Sequence, residues 1–136
     1  MATMSAAARP RARRAPASRR LLGASLMVLV GAFLPWLYTP LGTVTGLRGP
    51  GLWTMYAAFL GIAGAILRSP RLAGGHAAVM AAAAILLPLW QLGHLISKVG
   101  FGGWMPGAGL VMTLGAGVLA ATAAVSLLRT RPAAQP

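Results

Sequence analysis

The chain has 136 residues, with twelve Lys or Arg, two His, and no Asp, Glu or Cys. Soluble domains draw about a quarter of their residues from charged types, whereas this one draws 9%, all cationic, with 57% hydrophobic residues and a mean hydropathy of +0.74, which excludes an ordinary soluble domain. The missing carboxylates and thiols also exclude paired-carboxylate hydrolysis, Ser-His-Asp triads, carboxylate metal cages, thiolate nucleophiles and Cys-ligated zinc or iron–sulfur clusters.

These values predict an all-α integral membrane protein, a four-helix bundle preceded by a disordered basic tail. Residues 1–20 hold half of the positive charge and no large apolar residue after Met4, so they are expected to stay a disordered cytoplasmic tail. The first span is predicted over 21–38, LLGASLMVLVGAFLPWLY, with Pro35 placed to end or kink it. Pro40, Gly42, Gly46, Gly49, Pro50 and Gly51 make the next stretch a loop. A second span covers 52–67, between Trp53 and Arg68. RSPRLAGG then turns the chain into a third span over 76–96, which Pro88 should kink. Ser97 to Gly107 is read as a Gly-rich loop, 108–128 as a fourth span, and 129–136 as a short cytoplasmic tail.

Charge sets the expected orientation. Arg9, Arg11, Arg13, Arg14, Arg19, Arg20, Arg68, Arg71, Arg129 and Arg131 fall on one side of the spans, and only Arg48 and Lys98 on the other. By the positive-inside bias, both termini are cytoplasmic. Trp36, Tyr38, Trp53, Tyr56, Trp90 and Trp104 then gather toward the outer face as an aromatic belt. Ser18-Arg19-Arg20-Leu21-Leu22 looks like a twin-arginine signal core and Val30-Gly31-Ala32 like a small-residue cleavage site. Three more spans come after it instead of a folded passenger domain, so this segment is expected to remain as the first span. Eleven arginines to one lysine, with much Ala, Gly and Pro, suit a GC-rich bacterial coding sequence, and the expected location is the bacterial cytoplasmic membrane.

One polar cluster stands beside a span. Gln91, His94 and Lys98 are spaced i, i+3, i+7 and share a helix face, with Trp90 and Ser97 alongside. His94 lies ~27 Å along the helix from His76, near the outer boundary. There the cluster is read either as a polar vestibule that moves protons or holds an anion, or as a snorkelling lysine with Gln91 and His94 bonded to neighbouring helices and interfacial water. The second reading is favoured, since polar groups near a span end cost far less than at its centre. His76 and His94 face opposite leaflets and cannot ligate one haem iron within a chain; no cofactor or metal is expected.

Small residues recur every fourth position as Ala57, Gly61 and Ala65 in the second span, and as Gly109, Thr113, Gly117 and Ala121 in the fourth. Such rows let helix backbones approach closely, whether within the bundle or between copies. Gly100-Phe101-Gly102-Gly103-Trp104 lacks the context of a nucleotide site and is read as a loop anchored in the interface by Phe101 and Trp104. The basic tail points to anionic lipid headgroups, not to nucleic acid.

In size the chain is similar to small multidrug resistance transporters, dual-topology fluoride channels and the vitamin K epoxide reductase family. It lacks the membrane glutamate of the first, the charge balance and asparagine of the second, and the paired cysteines of the third. The Arg-rich tail, the first span ending in Leu34-Pro35-Trp36, the Gly/Thr-rich outer loop and three Ala/Gly-rich spans resemble small four-span membrane proteins of actinobacteria. That resemblance implies the fold and brings no activity. The functional expectation is a non-enzymatic accessory or structural component of a larger membrane complex, with a membrane-protein partner or a second copy bound through the small-residue faces. The alternative is a small oligomeric transporter or channel using the polar face of the third span.

Overall fold

The computed structural model describes the backbone of residues 2–129 and the side chains of 16–129. Met1, residues 130–136 and the side chains of Arg9, Arg11, Arg13 and Arg14 lie outside the described residues, and so does most of the predicted C-terminal tail. The described residues form helices α1 (Ala2–Phe33), α2 (Gly51–Ile66), α3 (Pro70–Val99) and α4 (Ala108–Arg129). Three short strands, β1 (Pro35–Thr39), β2 (Gly42–Thr45) and β3 (Met105–Pro106), accompany them. The chain is therefore mostly helical, but not all-α.

Two predicted boundaries change at the first helix. The stretch expected as a disordered tail is helical from Ala2. The stretch is rich in Ala and Arg, which favour helix, and extending an existing helix avoids the cost of nucleating a new one, although Pro10 and Pro16 also fall within α1. Burial of Ala17 also starts the packed body one turn before Leu21. At the other end the helix stops at Phe33 and not at Tyr38, because Pro35 removes a donor and pushes Leu34 toward extended backbone.

Beyond Phe33 the chain forms a hairpin where the end of the first span and a loop were expected. β1 pairs antiparallel with β2, and β3 pairs with the other side of β1, giving the order β2-β1-β3. The register slips between Pro35 and Leu37, so Trp36 is the extra residue of a bulge. Strict alternation would send Trp36 and Leu37 to opposite faces, whereas the bulge lets both be buried. Gly42, with φ of 128°, closes the turn, and the Thr39 hydroxyl donates to its carbonyl at 2.8 Å. Pro106 is tolerated because β3 is an edge strand.

The helices run up, down, up and down around a square. α1 packs on α2 and α4, α3 packs on the same two, and α1 and α3 face each other across a diagonal. Their interior is made of small side chains. Ala24, Ala58, Ala77, Ala84, Ala116 and Ala120 are fully buried, with Leu21, Val28, Met80 and Leu127 as the larger fillers. Glycines set the closest approaches: a Cβ on Gly61 would strike Met80 Sδ and Ser25 Oγ, and one on Gly117 would lie 2.7 Å from Ile85 Cγ1 and 3.1 Å from Ala84 Cβ. Pro88 sits inside α3 and leaves the Ala84 carbonyl without its helical donor; Gly117 makes its close approach at that same turn.

The predicted packing rows therefore lie within this one bundle. Ala57, Gly61, Gly109, Thr113 and Gly117 are buried between the chain's own helices, and Ala65 and Ala121 are half-buried toward the α2–α3 turn. A second cluster closes the end of the bundle that carries the sheet: Trp36, Leu37 and Leu110 are buried against Val44, Leu92, Leu95, Trp104 and Leu114. Trp36 and Trp104 thus leave the predicted aromatic belt. The indole of Trp36 donates to the Gly31 carbonyl at 2.9 Å, and that of Trp104 donates to Gly100 at 2.9 Å. Tyr38, Trp53, Tyr56 and Trp90 remain exposed.

Candidate functional site

Unequal helix lengths create an open feature near the polar cluster. α2 has 16 residues and α3 has 30. Antiparallel packing places Gly64 against Ala73 and His76, and Gly61 against Met80. Four residues per step then bring the start of α2 level with Gln91, and a Cβ on Gly49 would lie 4.0 Å from Gln91 Oε1. α3 continues beyond that level for two turns with no α2 residue beside it.

Those two turns have distinct sides. Leu92 and Leu95 pack under the small sheet, while Trp90, His94 and Lys98 are exposed and Gln91 is half-buried. Trp90 and His94 are stacked, with ring centroids 5.3 Å apart and planes inclined by 15°. Lys98 lies in the last turn of α3, not in a loop as its flanking glycines suggested. Ser97 donates its hydroxyl to the His94 carbonyl at 2.7 Å, which holds it to the helix and away from the imidazole.

Pro50, Trp53, Leu87, Trp90, Gln91 and His94 line an open groove of ≈ 670 Å³. Its walls are two indoles, a proline and a leucine; its polar groups are one amide and one imidazole. Arg48 ends the 3-10 turn Gly46–Arg48, two residues before Pro50, and is exposed. Trp53 also meets Tyr56 edge-on at 6.3 Å. The amide and imidazole can donate and accept hydrogen bonds, and the Arg48 charge lies two residues from the Pro50 wall. His76 is far away, with Nδ1 2.7 Å from the Leu72 carbonyl near the opposite end of α3.

The structure thus brings Gln91 and His94 together in one groove with Lys98 a turn above. It adds Pro50, Trp53 and the nearby Arg48, which sequence reasoning had not joined to them. Trp53 and Trp90 were both visible as boundary aromatics, but their pairing depends on which helices are neighbours, and one chain's periodicity does not encode that. Comparison of the chain with protein-family models, curated proteins and solved structures gives no match.

Proposed function

We propose that this chain is a multi-pass protein of the bacterial cytoplasmic membrane, with both termini cytoplasmic, acting as an accessory or structural component of a larger membrane complex. The observation that carries the membrane reading is the inverted distribution of side-chain size. Ala, Gly, Ser and Thr fill the interior, while Phe33, Phe59, Leu86, Val111, Val118 and Leu128 are more than 45% exposed. In water, such a surface would far exceed the apolar patches monomers carry. In lipid it is the solvent-facing side, and small residues inside are what helix packing there favours.

α3 and α4 are long and apolar enough to cross a membrane, and α2 is a shorter apolar helix. At 1.5 Å per residue α2 spans ~24 Å, which suits a locally thinned bilayer. The free edge of β2 needs water or headgroups for its backbone, so the outer boundary falls below the sheet, near Phe33 and Pro50. The cysteine-free sequence makes this orientation easy to read. A membrane-impermeant maleimide is expected to label Thr43→Cys, in β2, on intact cells, and Ser69→Cys, in the α2–α3 turn, only after permeabilisation. Equal labelling of both sites in intact cells would defeat the proposed topology.

The accessory reading is supported by the filled interior. The buried hydroxyls of Ser25, Thr54 and Thr113 donate to carbonyls of their own helices at 2.7, 2.7 and 2.8 Å. Among the described residues no buried side-chain polar atom lacks a partner. A polar path through the bundle would need groups free to exchange partners, so the transport alternative keeps only the outer groove. Partner contacts fall to the large apolar outer faces, because the small-residue rows are already used within the chain. The test is affinity purification in mild detergent with identification of co-purifying chains. A stoichiometric membrane protein whose abundance falls when this chain is deleted is the expected result. A pure homo-oligomer whose function is lost in His94→Ala/Lys98→Ala would favour the transport reading instead.

A further inference from the structure

We infer that the groove between the start of α2 and the outer end of α3 is a binding site for an anionic phospholipid of the outer leaflet. The inference rests on the membrane reading above. Its first support is depth: Gln91 is level with the start of α2, at the boundary where the sheet forces the hydrocarbon to end. Below that level Leu87, Trp53 and Trp90 offer apolar and aromatic walls to an acyl chain. Above it come His94 and, one turn on, Lys98, with Arg48 two residues before Pro50 on the facing segment.

The second support is charge. Arg48 and Lys98 are the cations of the outer end and both are exposed, the first two residues before Pro50 and the second one turn beyond His94. The sequence holds no aspartate or glutamate with which to pair them. The N-terminal end of α2 adds its positive dipole beside Pro50, with no acidic residue in its first turn. A phospholipid with a net anionic headgroup carries its charge already attached to hydrocarbon, and it matches a groove that is apolar below and has cations above. The amide of Gln91 and the imidazole of His94 supply donors for its oxygens.

The test uses the full chain in mild detergent, with native mass spectrometry after addition of dioleoyl phosphatidylglycerol or dioleoyl phosphatidylcholine. One tightly held phosphatidylglycerol is expected, preferred over phosphatidylcholine by roughly thirtyfold for two cations near the phosphate. Arg48→Ala/Lys98→Ala should remove that preference, and Arg48→Lys/Lys98→Arg should keep it. The inner pair Arg68→Ala/Arg71→Ala should leave the tight lipid in place. Equal retention of both lipids, or loss of the tight lipid only in the inner pair, overturns the site. Displacement of the lipid by millimolar glycerol phosphate as effectively as by phosphatidylglycerol overturns the lipid as its occupant. A protein that leaves the membrane fraction in alkaline carbonate would instead refute the membrane reading, so the two failures are distinguishable. All these substitutions are at exposed positions, and retention of the wild-type melting temperature shows that a lost lipid is not a lost fold.

Discussion

Gly109→Ala is expected to destabilise the bundle by up to about 2 kcal/mol, whereas Gly115→Ala, six residues along the same helix, should stabilise it. Alanine in place of glycine raises helix propensity by about 1 kcal/mol at either site. The surroundings decide the sign. A Cβ on Gly109 would lie 2.6 Å from the Gly31 carbonyl, 2.8 Å from Trp36 Cδ1 and 2.9 Å from Leu34 Cβ, while one on Gly115 meets nothing within 4 Å. The Gly31 carbonyl is backbone and already accepts the Trp36 indole, so it cannot swing aside as a side-chain tip would. Overpacking of this kind costs about 1–3 kcal/mol, and here it forces two helices apart. Thr113 lies against the same glycine of α1, so α1 and α4 would separate along a full turn. Thermal melting of the purified protein in detergent, followed by far-UV circular dichroism, reads both variants. A Gly109→Ala protein as stable as wild type would show that α1 and α4 do not cross at these glycines.

The four helices were legible because each apolar run is bounded by charge, proline or glycine, and those signals are local. The hairpin was not read, although Trp36-Leu37-Tyr38-Thr39 and Thr43-Val44-Thr45 are runs rich in aromatic and β-branched residues around a Pro-Leu-Gly turn. Continuity with the apolar span before it hid the first run, and the prolines and glycines made the rest look like plain loop. The polar face was legible from spacing alone, since i, i+3, i+7 places Gln91, His94 and Lys98 together on any helix. Its opposite wall was not, because Pro50 and Trp53 arrive there through the ring order of the helices. That order is set by which small-residue rows meet, Gly31 with Gly109 and Gly117 with Ala84, and every helix here has such rows.

Trp36→Ala is expected to cost about 3–5 kcal/mol, the range for removing a fully buried aromatic side chain, because only 2% of Trp36 is exposed. Two separable contributions meet at this side chain. Its rings fill the space between α1, α4 and the sheet, and its indole donates to Gly31, one of the last carbonyls of α1, which has no donor from its own helix. Trp36→Phe keeps much of the ring volume and strips the donor, so it should lose about 1–3 kcal/mol, the range for leaving a buried acceptor unpaired. The loss should also be local before it is global. The Trp36 carbonyl accepts from Gly107 at 2.7 Å and the Gly46 amide donates to Leu34 at 3.4 Å, so the hairpin and the segment before α4 are both fastened at this bulge. Arg48 is the tryptic site within that hairpin region, and limited proteolysis at a temperature below the melting transition reads its release. Cleavage after Arg48 should be fast in Trp36→Ala, intermediate in Trp36→Phe and slow in the wild type, while the helical signal of the bundle persists. If all three are cut at one rate, the outer sheet is held by contacts other than this tryptophan. Leu92 and Leu95 rest on the same cluster, so the outer turns of α3 that carry His94 and Lys98 lose their support with it. Tight retention of phosphatidylglycerol should therefore fall in Trp36→Ala even though Trp36 lines no part of the groove.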